Sequence, residues 1–195
     1  MALCESEVEG MTEYVVTRWY RAPELLLTCT DYGPAIDIWS VGCIFAELLG
    51  RRPLFPGKDF VHQLSLITRV LGSPTAEDAA TVSSIKAKRY LASLPPCRTQ
   101  GFAQLFPAAS PAATNLLSGL LTFSPSKRIS LKNALAHLYL SALHCPSDEP
   151  ECSTPFHFTV PPDAGEAEVR QLVAAEAALF AAEAAEAMQH RMVID

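Results

Sequence analysis

Two hydroxyl side chains, Thr12 and Tyr14, flank a single glutamate, and two guanidiniums, Arg18 and Arg21, follow within seven residues of Tyr14. That layout suits a phosphate switch. Each phosphate adds about −1.5 to −2 charges, and arginine can bind its oxygens bidentately. An ordinary polar surface loop is the plain alternative. No grouping of His, Cys or carboxylates has the spacing of a metal site, and no Ser, His and Asp combination reads as a nucleophilic triad.

The elements around these residues are read from apolar period and punctuation. Residues 1–35 hold short extended pieces, a proline and turn formers without a sustained helical period, so they read as loop-rich. From Asp37 the series Ile38, Val41, Ile44, Phe45, Leu48 and Leu49 predicts a strongly apolar, buried helix, with Asp37 as N-cap and Gly50 as the stop. A second helix opens at Asp59 and carries Val61, Leu64, Ile67, Val70 and Leu71 up to Gly72-Ser73-Pro74, and a third starts near Thr75. Ser110-Pro111 signals a cap and first-turn proline for 112–121, and Ser130 caps a helix from Leu131 to about His137. Leu94 to Phe106, broken by Pro95, Pro96 and Gly101, reads as an irregular connection. After a proline-rich stretch, the alanine and glutamate composition from Glu166 to about Met188 predicts a long tail helix with an apolar stripe of Val169, Leu172, Val173 and Phe180. For its last turns a solvated extension and a docking role are equally open.

At 195 residues, with 49% hydrophobic and 18% charged side chains, the chain can build one sizeable soluble core. Its net charge of −6 gives no basic face for nonspecific binding to nucleic acid or acidic membranes, and favours basic partners. The six cysteines lack paired spacing and read as reduced thiols of the cytosol or nucleus. The stretch from Ile36 to Leu49 is too short to span a bilayer, and Met1 is not followed by a basic leader.

The run Met11-Thr12-Glu13-Tyr14-Val15-Val16-Thr17-Arg18-Trp19-Tyr20-Arg21-Ala22-Pro23-Glu24, followed by Asp37-Ile38-Trp39-Ser40-Val41-Gly42, resembles the activation loop, substrate-positioning loop and following helix of protein kinases. Its Thr-Glu-Tyr element resembles the extracellular-signal-regulated type of mitogen-activated protein kinase, or MAP kinase. The resemblance implies a mainly α fold: an incomplete C-terminal lobe, without the small lobe, catalytic loop or Asp-Phe-Gly motif. It divides the chain into an activation and substrate-positioning segment (1–36), a helical lobe (37–140) with the family's insert at about 51–100, and a C-terminal extension (141–195).

Residue roles follow from the same resemblance. Thr12 and Tyr14 become phosphorylation sites, with phosphorylated Tyr14 held by Arg18 and Arg21. Thr17 matches the threonine that bonds the catalytic base and lysine. Trp19, Tyr20 and Arg21 match the wall that accepts proline after the phosphorylated residue. Glu24 and Arg128 match a structural ion pair, and Asp37 matches the anchor of the catalytic-loop backbone. Leu26, Leu27, Phe60, Val61, Leu64 and Tyr90 match a pocket for Phe-containing docking peptides, although each could equally be core. Asp148 and Glu149 match an acidic patch for basic docking peptides. Cys145 stands there where relatives usually carry another aspartate, so docking is expected to be weaker and more salt-sensitive; a solvated acidic turn is the alternative.

MAP kinases transfer the terminal phosphate of ATP, with Mg, to Ser or Thr before Pro. The resemblance therefore implies upstream MAP kinase kinases, phosphatases and docking-motif substrates as partners, in the cytoplasm or nucleus. The sequence contains no G-x-G-x-x-G, V-A-I-K, H-R-D or D-F-G. It reads as beginning inside the activation segment, so this chain alone is expected to bind no ATP and to have no catalytic residues. A non-catalytic fragment that competes for MAP kinase kinases or substrates is the alternative. Without the lobe's preceding helix, apolar surface on the helix from Asp37 is expected to be exposed.

Overall fold

A computed structural model describes residues 18–27, 33–80, 82, 84–152, 160–161 and 163–192. The chain divides into two compact units, 1–145 and 146–195. Among the described residues there are helices and turns but no strand.

The first unit carries α1 (Pro23–Leu27), α2 (Ala35–Gly50), α3 (Phe60–Leu71), α4 (Ala76–Ala80), α5 (Ile85–Ser93), α6 (Phe102–Leu105), α7 (Pro111–Leu120) and α8 (Leu131–Leu135). Four of these helices start where a short polar side chain accepts from a backbone N–H three residues on. Asp59 accepts from His62 N at 2.7 Å, Ser84 from Ala87 N at 3.3 Å, Ser110 from Ala113 N at 3.2 Å and Ser130 from Asn133 N at 3.3 Å. Pro111 fills the first position of α7, where no N–H is needed. At α4 the exchange is reciprocal: Asp78 N donates to Thr75 Oγ1 and Thr75 N to Asp78.

The core forms where α2 meets α7 and the 18–20 turn, and where α1 meets α3. Trp39, Phe55, Leu64, Ile67 and Leu117 are wholly or almost wholly buried, and the Trp39 and Phe55 rings stack with centroids 5.9 Å apart. Gly42 lets α2 and α7 close up, since a Cβ there would lie 2.8 Å from Leu121 Cδ2 and 2.9 Å from Leu120 Cβ. Burial pushes the Cys43 thiol up to about 12, with nearby Arg128 acting in the opposite direction, so this cysteine is inert packing. Among the described residues Cys43, Cys97, Cys145 and Cys152 are free thiols.

Several expectations are corrected. Asp37 is not the N-cap of α2. Pro34, with φ −55° and ψ −17°, already turns helically, so the helix starts at Ala35 and Asp37 sits exposed in its first turn. Nor is Gly50 the stop: it is helical, and Arg51 takes the left-handed conformation at φ 54°. The glycine serves packing, because a Cβ on Gly50 would come within 2.9 Å of the Phe106 ring. Buried on one face only, α2 leaves Val41, Ile44 and Leu48 at 52%, 51% and 72% exposure.

The 94–106 connection contains the one-turn helix α6, and α5 was not read from the sequence at all. Helix α8 stops at Leu135 and passes into a 3-10 turn, Leu138–Leu140, which the His137 imidazole caps by accepting from Tyr139 N.

In the second unit a 3-10 turn, Pro146–Asp148, is followed by α9 (Glu166–Met192), which outruns the expected end at Met188. Arg170 donates to Glu166 one turn earlier at 2.8 Å. The expected stripe is not a buried face: Leu172, Val173 and Phe180 are exposed. Alanine fills the helix on every side, so length and propensity rather than amphipathic burial favour it.

Candidate functional site

Residues 18–21 form a short 3-10 turn leading into α1, held from three directions. From the α2–α3 connection, Gly57 O accepts from Trp19 Nε1 at 3.1 Å and Lys58 O accepts from Arg18 Nη1 at 2.7 Å. From α3, Gln63 donates through Nε2 to Trp19 O at 3.3 Å and accepts from Gly57 N at 3.0 Å. From α2, Ser40 donates to Tyr20 O at 3.0 Å, and Glu47 accepts from the Tyr20 hydroxyl at 2.6 Å. A turn secured at backbone and side chain by three elements presents a fixed surface.

The Tyr20–Glu47 bond has a pH signature. The carboxylate that accepts from the phenol holds the Tyr20 pKa above its ordinary 10.0, with burial and the Glu47 charge acting in the same direction. Because the folded value is raised, the stabilisation is full below pH 10.0 and is lost as pH climbs through the folded value. Tyr20→Phe is therefore expected to lower stability at pH 7 to 8 by about 1.5 kcal/mol or less, the low end for a half-exposed bond to a charged group. That difference should shrink above pH 10. Urea midpoints of both proteins at pH 8 and 10.5 check it, and a gap that widens with pH would contradict it.

Arg18 and Arg21 are brought together on one ring. Their guanidinium carbons lie 5.6 and 5.8 Å from the Phe60 centroid, within cation–π range. Two positive groups thus meet beside the start of α3, and Arg18 Nε is buried with no hydrogen-bond partner among the described residues. Tyr14, their expected phosphate-bearing partner, lies outside the described residues, as do Thr12 and Thr17.

Below the turn sits the ion pair. Arg128 Nη1 and Nη2 reach the two Glu24 oxygens at 2.7 and 2.9 Å, with the arginine side chain wholly buried and the glutamate 11% exposed. The remaining donors go to backbone carbonyls: Nη1 to Ala35, Nε to Thr122 at 3.1 Å and Nη2 to Phe123 at 3.3 Å. All five guanidinium N–H groups are accounted for, and the group lies 5.2 Å from the Trp39 ring. One residue thus joins the start of α1, the start of α2 and the turn after α7.

The other expected positions divide. Leu26, Leu27 and Leu64 are core residues; Phe60 and Tyr90 are half-buried against that core, and Val61 is 43% exposed. The Tyr90 hydroxyl donates to Val61 O at 3.3 Å, which draws α5 to the start of α3. Asp37 is exposed and makes no ion pair or hydrogen bond through its side chain among the described residues. It stands on the same helical face as Val41, Ile44 and Leu48. In the second unit Asp148 is exposed and Glu149 is half-buried.

Sequence reasoning missed Gln63, Glu47, Gly57 and Ser40. One signal was available: Gln63 lies three residues after Phe60 and four before Ile67, a polar side chain on the buried face of an amphipathic helix.

A helical lobe in which Glu24 and Arg128 join the start of α1 to the start of α2 and the turn after α7 belongs to a known class. The protein kinase domain family matches residues 2–140, and the chain belongs to it. Within that family its branch is the MAP kinases. It is 50% identical to mitogen-activated protein kinase 6 of Arabidopsis thaliana over 181 residues, covering 92% of this chain and 46% of that protein. It is 56% identical to mitogen-activated protein kinase 3 of Arabidopsis thaliana over 153 residues, covering 78% and 41%. With mitogen-activated protein kinase 5 of Oryza sativa subsp. japonica it shares 50% over 178 residues, covering 91% and 48%. The chain spans about half the length of the curated relatives it matches.

Proposed function

We propose that this chain supplies the activation switch, proline-accepting wall and docking surfaces of a proline-directed Ser/Thr kinase working in a phosphorylation cascade of the cytoplasm or nucleus. The observation that carries the reading is the turn at 18–21, fixed by Gly57, Lys58, Gln63, Ser40 and Glu47 before any substrate arrives. In this reading Trp19, Tyr20 and Arg21 orient the residue after the target hydroxyl. Arg18 and Arg21 take the Tyr14 phosphate, and Thr12 is the second acceptor of an upstream MAP kinase kinase. Basic docking peptides approach Asp148 and Glu149, and Phe-containing ones approach Phe60, Val61 and Tyr90 above the three leucines.

In the intact kinase ATP and Mg supply the transferred phosphoryl group and its charge neutralisation. No step of the transfer is assigned to this chain's residues. We read the chain alone as catalytically inactive. The face of Asp37, Val41, Ile44 and Leu48 favours membership of a larger kinase over an independent competitor module, since an apolar stripe with one carboxylate is costly to leave in water.

The test is to incubate the purified chain with an active MAP kinase kinase and ATP, then map phosphosites by mass spectrometry while assaying a Ser-Pro peptide. Modification of Thr12 and Tyr14 with no peptide phosphorylation is expected. Peptide phosphorylation by the chain, or absence of both modifications, would overturn the reading. A pull-down in which the chain displaces full-length MAP kinase from its activator would instead favour the competitor.

A further inference from the structure

We propose that the groove between the α2–α3 connection, α3 and α6 is a docking site for an extended acidic peptide segment of a partner protein, with carboxylates beside a bulky apolar residue. The groove has a volume of about 530 Å³, within the size range of specific ligand sites. Its floor is the buried Phe106 ring, and Leu54, Leu66 and Val70 form half-buried walls. Arg52 and Arg69 stand exposed at the rim, and no carboxylate lines it. Among the described residues neither guanidinium has a hydrogen bond or ion pair, so both are available to an incoming anion. Two such cations over an apolar floor, in a chain of net charge −6, mark a local inversion of sign that selects acidic ligands.

The site is preformed. Gly50 has no Cβ to displace the Phe106 ring. Gln100 N donates to Val70 O at 2.9 Å, and Thr99 Oγ1 to Leu71 O at 2.9 Å, which fastens the segment before α6 to the end of α3. A peptide fits better than a fatty acid. An acyl chain gains from complete enclosure, whereas these walls are half-exposed and the rim faces water, where a peptide backbone keeps its hydration. The groove residues lie outside the positioning turn and the ion pair, so the proposal does not rest on the kinase reading.

Fluorescence anisotropy of the full chain with a fluorescein-labelled EELFEEDG octapeptide tests it. Saturable binding is expected, weakened at least tenfold in R52Q/R69Q, weakened measurably in each single variant, and unchanged in R170Q, a single-charge control in the second unit. Replacing the peptide's Leu and Phe by Ser, or its acidic residues by their amides, should weaken binding comparably. Both arginines are exposed, and far-UV circular dichroism of each variant verifies that the fold is kept. Absence of saturable binding, an R170Q loss equal to that of the double variant, or binding of decanoate without binding of the peptide would each overturn the proposal.

Discussion

Replacing Arg128 by alanine is expected to destabilise the first unit by about 3–5 kcal/mol, the range for breaking a buried pair and leaving its partner charged. Domains are stable by about 5–15 kcal/mol in total, so the variant should approach or cross the threshold of folding. Glu24→Ala should cost a similar amount, because it strands a guanidinium that is wholly buried. Arg128→Lys is not conservative here. An ammonium has three donors on a single nitrogen and cannot reach Glu24, Ala35, Thr122 and Phe123 together.

A sharper distinction comes from replacing both partners. A simple buried pair can often be exchanged for apolar residues without loss. In E24L/R128M, however, the Thr122 and Phe123 carbonyls lose their guanidinium donors, and each such orphan costs about 1–3 kcal/mol. The double variant should therefore remain clearly destabilised. Urea denaturation followed by circular dichroism reads all four proteins; recovery of native stability in E24L/R128M would show that the carbonyl bonds contribute nothing.

What the sequence disclosed and what it hid separate along physical lines. The starts of α3, α7 and α8 were legible because a cap is a local contract between a side-chain oxygen and an N–H three residues on, written in Asp59, Ser110 and Ser130. The same rule misled at α2. Asp37 has the right type, but Pro34 had already committed the backbone, and nothing local to Asp37 records that. Helix α5 escaped notice because it buries only Ala87 and Leu91, too few apolar residues to declare a period, although Ser84 was an available cap.

At the candidate site the partnership of Glu24 and Arg128 was legible only through the family resemblance, being 104 residues apart. The carbonyls that complete the guanidinium shell were not legible, because backbone acceptors carry no sequence signature. The exposed Val41, Ile44 and Leu48 illustrate the same limit. An apolar period tells which residues seek cover, while tertiary structure determines which of them find it within this chain.

Gln63 joins both themes, and Gln63→Leu is expected to have the second largest effect. The side chain is completely buried, and its amide links Gly57 N to Trp19 O, two backbone groups on different segments. Leucine keeps nearly the same volume, so the loss is not a cavity effect. It takes the Gln63 donor from Trp19 O and leaves Gly57 N with the Phe55 carbonyl at 2.9 Å alone, a loss of about 1–3 kcal/mol in all. Gly57→Ala attacks the same junction from the other side, since its Cβ would collide with the Gln63 amide and approach Gln63 Cα to 2.7 Å.

Both variants should loosen Trp19, which is 37% exposed, without touching Trp39, which is fully buried. Increased acrylamide quenching should therefore accompany the lowered urea midpoint, with Trp39 providing the protected baseline. Arg128→Ala would instead perturb the Trp39 environment directly, because its guanidinium lies over that ring. The two lesions are thus distinguishable by which tryptophan responds. Gln63→Leu with native stability and native Trp19 quenching would show that the 18–21 turn is held by Gly57 O, Lys58, Ser40 and Glu47 without help from Gln63.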